Sequence, residues 1–343
     1  MPQVSSSAVT VAATQPAIPV LHVSQDFPLE TALAVGQTRG YALLDRATAG
    51  IPRTALRIGD ALSRAWLART GHPHLDEIDR IARQVKRPGT HFFNVHYEWG
   101  CTTAAKPVCG GGCRLVRVLD WRTPGLGAFA IAARVTGPAG PWVTLTWPGY
   151  TGVLQAMAKG RFAAAINQAP KRAAWERPAL DWLSARSRIW RTRALTPSHL
   201  LRRVFEEAAS YTEAKARLVA TPLAAPVLFT LAGPAPGEAC VIERQETEAR
   251  VIENSDGAQT ANDWQTTSWQ GRRTPGRWSD ERLATMRAVA TAPDFDRPFD
   301  WLKPPMLNED SRLALVADPA SGRLVARGYE SDGPATAVLD ITI

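Results

Sequence analysis

Asn94-Val95-His96-Tyr97-Glu98-Trp99-Gly100-Cys101-Thr102-Thr103 decides how this chain is read, together with Arg117-Val118-Leu119-Asp120-Trp121 a short way downstream. Cys101 lies far inside the chain, directly after a glycine whose carbonyl is unhindered, and the residues that follow read as a short hairpin ending in an Arg/Asp pair. That context fits a nucleophile that cuts its own chain: the thiol would attack the carbonyl of Gly100 and split the Gly100–Cys101 bond. The new N-terminal residue would own both a thiol and a free α-amine. An α-amine ordinarily titrates at about 7.7–8.0, which suits a general base near neutral pH.

The chain around this motif is an ordinary globular one. It has 343 residues, 45% of them hydrophobic and 21% charged, enough for one large domain or two small ones. No apolar run approaches the roughly 20 residues that span a bilayer. Met1 to Val20 is small, apolar and Ser-rich, and the first basic residue is Arg39, so the basic start of a secretory signal is missing. This stretch reads as a flexible leader and the protein as cytoplasmic. Four cysteines are too few for a disulfide framework at this length. Cys109-Gly-Gly-Gly-Cys113 reads first as a hairpin tip, the alternatives being a reversible disulfide or half of a metal site. A structural zinc needs four ligands, and no second closely spaced Cys or His pair follows. Neither a cofactor nor a metal is expected.

The formal charge of +8 raises the question of nucleic acid. Most of the excess sits in one segment, Lys171 to Ala220, with eleven basic and five acidic residues. Trp182, Leu183, Ile189 and Trp190, then Leu200, Leu201, Val204 and Phe205, have helical spacing there, so the basic residues are expected on the wet faces of helices. No nucleic-acid-binding motif accompanies them. A weak attraction to anionic membrane surfaces is the remaining expectation.

Helices are expected over Ala55 to Arg69 and His74 to Lys86, joined by a turn at Gly71-His-Pro73. Strands then follow over Arg114–Leu119, Ala128–Val135, Trp142–Trp147 and Arg161–Ile166, helices over about Pro178 to Ala220, and strands over Val227–Ala232, Ala239–Arg244 and Ala249–Glu253. Arg277 to Thr291 returns to helical periodicity, and Arg312–Ala317 with Leu324–Gly328 reads as a hairpin around Asp318-Pro-Ala-Ser-Gly322. This order predicts an α+β protein of layered sheets with helices outside. One catalytic domain is expected, cut into an N-terminal helical segment, 1–100, and a core, 101–343, that stay associated.

From about Asn94 to Arg323 the chain resembles the acid ceramidase and N-acylethanolamine acid amidase group of cysteine N-terminal-nucleophile hydrolases, relatives of choloylglycine hydrolase and penicillin V acylase. Four blocks carry the resemblance. They are Tyr97-Glu98 with Cys101-Thr102-Thr103; Arg117-Val-Leu-Asp120-Trp121; Gly149-Tyr-Thr-Gly152-Val-Leu with Gly160-Arg-Phe162 and Asn167; and Leu231-Ala-Gly233, Gly237 to Arg244, Thr260-Ala-Asn262-Asp263-Trp264 and Arg272-Arg273-Thr-Pro275. Where the family has Asn-Glu-Arg after the third block, this chain has Asn167-Gln168-Ala169. The resemblance implies a four-layer αββα sandwich, self-cleavage before Cys101 and hydrolysis of a linear amide. Carried over by position, Cys101 is nucleophile and amine. Arg117 and Asp120 orient and tune it, and Asn262 with Arg272 completes the site around the oxyanion, Arg273 being the alternative arginine. The implied substrate is a small-molecule N-acyl amide. A choloylglycine hydrolase or penicillin acylase-type hydrolase, an acyltransferase, and an uncleaved homologue that only binds are the competing readings.

Overall fold

In the computed structural model, residues 15–95, 100–109, 111–170, 178–269, 271 and 278–343 are described. The N-terminal segment forms strand β1 (Val20–Val23), helix α1 (Phe27–Val35), a π-helical turn at Gly36–Gly40, and helices α2 (Tyr41–Ala47), α3 (Arg53–Thr70), α4 (Leu75–Val85) and α5 (Thr90–Val95). Six strands follow: β2 (Gly100–Pro107), β3 (Cys113–Asp120), β4 (Ile131–Gly137), β5 (Gly140–Thr146), β6 (Gln155–Ala158) and β7 (Phe162–Gln168). Helices α6 (Pro178–Arg191), α7 (Pro197–Glu207) and α8 (Tyr211–Ala220) come next, then β8 (Val227–Ala232), β9 (Ala239–Arg244), β10 (Ala249–Ile252) and β11 (Ala258–Thr260). Helix α9 (Ser279–Ala288) precedes β12 (Ser311–Asp318), β13 (Arg323–Glu330), β14 (Gly333–Pro334) and β15 (Leu339–Thr342).

These strands make two sheets. The first runs β1-β4-β5-β6-β7-β8-β9-β10 and the second β11-β2-β3-β12-β13-β14, with β15 also on β13. Strands β2 and β3 of the second sheet pack on β7 and β8 of the first, while α1, α7 and α8 cover the first sheet's outer face and α9 lies on β2. This is the expected αββα order of layers.

The residues explain the layers. Ala163-Ala164-Ala165 on β7 and Ala132-Ala133 on β4 are fully buried because their strands are covered on both faces, so they read as continuous small apolar runs without alternation. The second sheet does alternate. Leu115 and Leu119 of β3 join the core between the sheets, whereas Val116 and Val118 join a separate cluster with Met286 of α9, Trp301 and Met306 on the outer side. Two helix starts have built-in stops to fraying. Thr196 caps α7 by accepting from the His199 N–H, with Pro197 in the first turn, and Ser210 caps α8 by accepting from the Glu213 N–H.

Three expectations need correction. The leader is not loose up to Val20: Ile18 is buried, Pro16 O accepts from Ala337 N, Pro19 O accepts from Ala132 N, and β1 then pairs in parallel with β4. Segment 1–100 is therefore not only helical but supplies an edge strand, too short and too distant in sequence from its partner to show periodicity. The basic segment is less bare than a wet helical face. Arg202 is buried against Glu77 and Glu206, while Arg203, Lys215 and Arg217 each pair with a glutamate. Among the described residues no helix is long and apolar enough to cross a membrane, and no group of three His, Cys, Asp or Glu is placed to hold a metal.

Candidate active site around Cys101

Strand pairing places Cys101. β2 and β3 run antiparallel with Gly100 opposite Asp120, Cys101 opposite Leu119 and Thr103 opposite Arg117. Cys101 thus stands at the first turn of a strand end, completely buried, with its side chain in the core between the sheets. Arg117 projects into the same space, where its Nη2 donates to Cys101 Sγ at 3.0 Å. The other guanidinium nitrogen, Nη1, donates to Leu154 O at 3.2 Å and Ile166 O at 2.7 Å, so carbonyls of the first sheet aim the cation at the thiol. Burial pushes the Arg117 guanidinium below its ordinary range, with the Cys101 and Asp120 charges opposing. A cation this close favours thiolate over thiol.

Asp120 belongs to the other face. Residues three apart on a strand point to opposite sides, so Arg117 and Asp120 do not form the strand-end pair that their spacing suggests. Asp120 Oδ2 instead meets Arg282 Nη1 at 3.2 Å, and its Oδ1 accepts from Ser311 Oγ at 2.9 Å. Burial raises this carboxyl above its ordinary range, against the opposing pull of Arg282, Ser311 and Asn308.

Arg282 is the residue that sequence reasoning missed. It stands on α9 with only 1% of its surface exposed. Its Nη1 also donates to Cys101 O at 2.7 Å and Thr102 Oγ1 at 2.8 Å, and its Nη2 to Asn262 Oδ1 at 2.8 Å. One guanidinium therefore joins the Cys101 backbone, Asp120 and Asn262, a task suited to a planar, multi-donor group. A signal existed in the sequence. Arg282 shares a helix face with Leu283 and Met286, both buried, and an arginine on the buried face of a helix needs a partner. The sequence-predicted Arg272, and its alternative Arg273, lie outside the described residues, as do Tyr97 and Glu98.

Asn262 arrives beside Cys101 as expected, but facing the other way. Cys101 N donates to Asn262 Oδ1 at 3.0 Å and Arg282 Nη2 donates to the same atom, while Asn262 Nδ2 donates to Gln168 O at 2.9 Å. Two donors converging on one atom fix it as the oxygen. Asn262 thus holds the Cys101 nitrogen rather than pointing an N–H away from it as a free donor. Asn167 steadies this loop: its Nδ2 donates to Thr260 O and Ala261 O, and its Oδ1 accepts from Thr103 Oγ1 of β2. Gln168 contributes to the site through its backbone, which the exchange of Glu for Gln leaves unaltered.

The Gly149-Tyr-Thr-Gly152 block fixes the approach to the site. Gly149 has φ +78°, and a Cβ there would come within 3.0 Å of Ile81 of α4; one on Gly152 would come within 2.5 Å of Ser198 Oγ. The glycines let this loop lie against α4 and α7, from where Leu154 O reaches Arg117. Cys109 and Cys113 lie as free thiols at the far end of the β2–β3 hairpin, the tip that their glycine-rich spacing suggests.

Comparison with known proteins follows this geometry. A 114-residue stretch is 32% identical to acid ceramidase of Heterocephalus glaber, spanning 33% of this chain and 28% of that one. A 178-residue stretch is 27% identical to acid ceramidase of Macaca fascicularis, spanning 50% and 44%. The matches therefore cover less than half the length of these relatives. No protein-family model matches the chain. Among solved structures, the Caenorhabditis elegans ortholog of N-acylethanolamine-hydrolyzing acid amidase superposes with a TM-score of 0.52 at 18% identity, covering 70% of this chain and all of that one. The fold is that of the N-terminal-nucleophile hydrolases. Within that fold, part of the chain is similar in sequence to acid ceramidases.

Proposed function

We propose that this protein is a cysteine amidase that first cuts its own chain before Cys101 and then hydrolyses an N-acyl amide. The observation that carries the reading is the grip on Cys101 from two independent elements: Arg117 at the sulfur and Asn262 at the nitrogen, each at 3.0 Å. Those are the two atoms that such chemistry uses. In maturation, Sγ bonds to the Gly100 carbonyl carbon, the Gly100–Cys101 C–N bond breaks, and the nitrogen leaves as an amine after taking a proton. Water then hydrolyses the thioester, freeing the thiol and leaving a Gly100 carboxylate.

The same atoms then serve a substrate. The thiolate attacks the acyl carbonyl, the α-amine passes a proton to the leaving amine, and water clears the thioester. Asn262 Oδ1 keeps the amine beside the sulfur, and Arg282 keeps Asn262 and Asp120 in place. Segments 1–100 and 101–343 would remain together, because β1 is part of the first sheet and Phe27 packs edge-on against Trp142 at 5.6 Å. A cytoplasmic location is part of this proposal.

The likeness to acid ceramidases supports a fatty acyl chain. Each methylene withdrawn from water contributes about 0.8 kcal/mol, so across N-acyl amides sharing one fluorogenic amine, kcat/KM is expected to rise from acetyl to at least lauroyl. A flat or falling series, with brisk hydrolysis of a bile-salt conjugate or penicillin V, would instead assign the site to a choloylglycine or penicillin acylase-type hydrolase.

A further inference from the structure

Outside the contacts of Cys101, three histidines meet where the N-terminal segment docks on α7. The ring of His199 lies 4.7 Å from that of His72 and 4.9 Å from that of His74, and His72 and His74 are 5.7 Å apart. His199 is fully buried and His72 nearly so.

Hydrogen bonds place a proton on Nε2 of His199. Thr151 N donates to Asn94 Oδ1, and Thr151 Oγ1 spends its single hydrogen on the same oxygen at 2.8 Å. The contact of 2.8 Å between Thr151 Oγ1 and His199 Nε2 must then be donated by the imidazole. His199 Nδ1 lies 2.6 Å from Thr196 Oγ1, whose hydroxyl supplies the remaining proton to a bare ring nitrogen. Burial disfavours a second proton on this ring, so His199 is neutral, with its proton on Nε2. His72 Nδ1 accepts from His74 N, so it too is satisfied as a neutral ring, and its Nε2 has no partner to receive a second proton's bond.

The charged neighbours make a second cation unwelcome. Arg202 of α7 is buried beside His199 and pairs with Glu77 of α4 and Glu206. Glu77 also faces His74 at 3.4 Å. Asp26, paired with Arg80, lies at the edge, and Arg202 reaches Gln25 O next to it. The carboxylates are thus already matched to arginines, and a protonated His199 or His72 would find none free.

We infer that this cluster is an acid-sensitive latch: it closes the N-terminal segment onto α7 at neutral pH and opens as the medium becomes acidic. Opening would also reach the catalytic end, since Asn94 ties α5, six residues before Gly100, to Thr151 and Gly149 of the core.

The direction follows from linkage. Burial pushes His72 down to about 3 and His199 well below the ordinary range near 6.5, the other histidines adding to both. A base depressed in the folded state gives stability that is present above its unfolded pKa and is lost as pH falls towards the folded one. For His72 alone, that lowers the closed-to-open ratio about thirtyfold at pH 5. Glu77 acts in the same direction lower down. Burial raises it, but His74 and Arg202 outweigh that and hold it below its ordinary range, so its contribution is also lost in acid.

The test uses the full chain carrying Cys101→Ala, so that its outcome does not depend on the amidase reading. Hydrogen exchange, corrected for intrinsic rates, should show α4, α5 and α7 losing at least thirtyfold protection between pH 7.5 and pH 5 while β12 and β13 keep theirs. His72→Asn with His199→Gln, which retain hydrogen-bonding groups but do not titrate, should flatten that dependence. Equal protection at both pH values, a uniform loss across the molecule, or an unchanged slope in the double variant would each overturn the latch. Should the double variant fail to fold, the regional pattern in the Cys101→Ala chain decides alone.

Discussion

Replacing Arg282 with lysine is expected to reduce kcat/KM at least tenfold, and replacing it with methionine to cost about 3–5 kcal/mol of stability, the usual effect of stranding one partner of a buried ion pair. The argument rests on how much one guanidinium holds. Arg282 donates to Cys101 O, Thr102 Oγ1, Asp120 Oδ2 and Asn262 Oδ1. A lysine ammonium reaches one or two of these from a single point and leaves the rest short of a donor. The methionine variant would leave Asp120 ionisable and buried, which favours its protonated form and weakens its hold. Measuring Arg282→Lys beside Arg272→Lys, by kinetics and thermal unfolding, separates the two candidate arginines. Near wild-type activity in the first and a large loss in the second would return the role to Arg272.

Arg117→Met is expected to lower kcat/KM by roughly 10- to 150-fold, because hydrogen bonds to charged groups contribute about 1.5–3 kcal/mol. The Cys101 sulfur would lose its donor at 3.0 Å and with it the cation that favours the thiolate. Leu154 O keeps a bond from Ile166 N, so the local backbone is not left bare. The loss should therefore fall mainly on kcat and should shrink as pH rises and the thiol ionises unaided. An equal loss at all pH values would show that Arg117 acts by packing alone.

Much of the fold was readable in the sequence. β8 and β9 fall on the residues their apolar runs predict, and β12 and β13 form the hairpin expected around Asp318 to Gly322. The strands that escaped, β1, β6, β11, β14 and β15, are each no longer than four residues, and β1 and β11 pair with partners far along the chain. A run of that length carries no period to detect.

The site divides in the same way. Cys101, Arg117, Asp120 and Asn262 do converge, as their blocks suggest. Which way each faces was harder to read. Period-two alternation already separates Arg117 from Asp120, and applying it would have shown that Asp120 needs another cation. Asn262 could not be oriented from sequence, since its direction depends on Arg282 and Gln168, which arrive from other elements. Arg282 itself was hidden behind two arginines closer to the expected spacing.

The central claim is that Cys101 cuts the chain in front of itself, and the intact mass of purified protein tests it most directly. Wild type, incubated across pH under reducing conditions, should yield two fragments, residues 1–100 and 101–343, while Cys101→Ala stays whole. A wild-type chain that keeps its full mass under every condition would contradict the account.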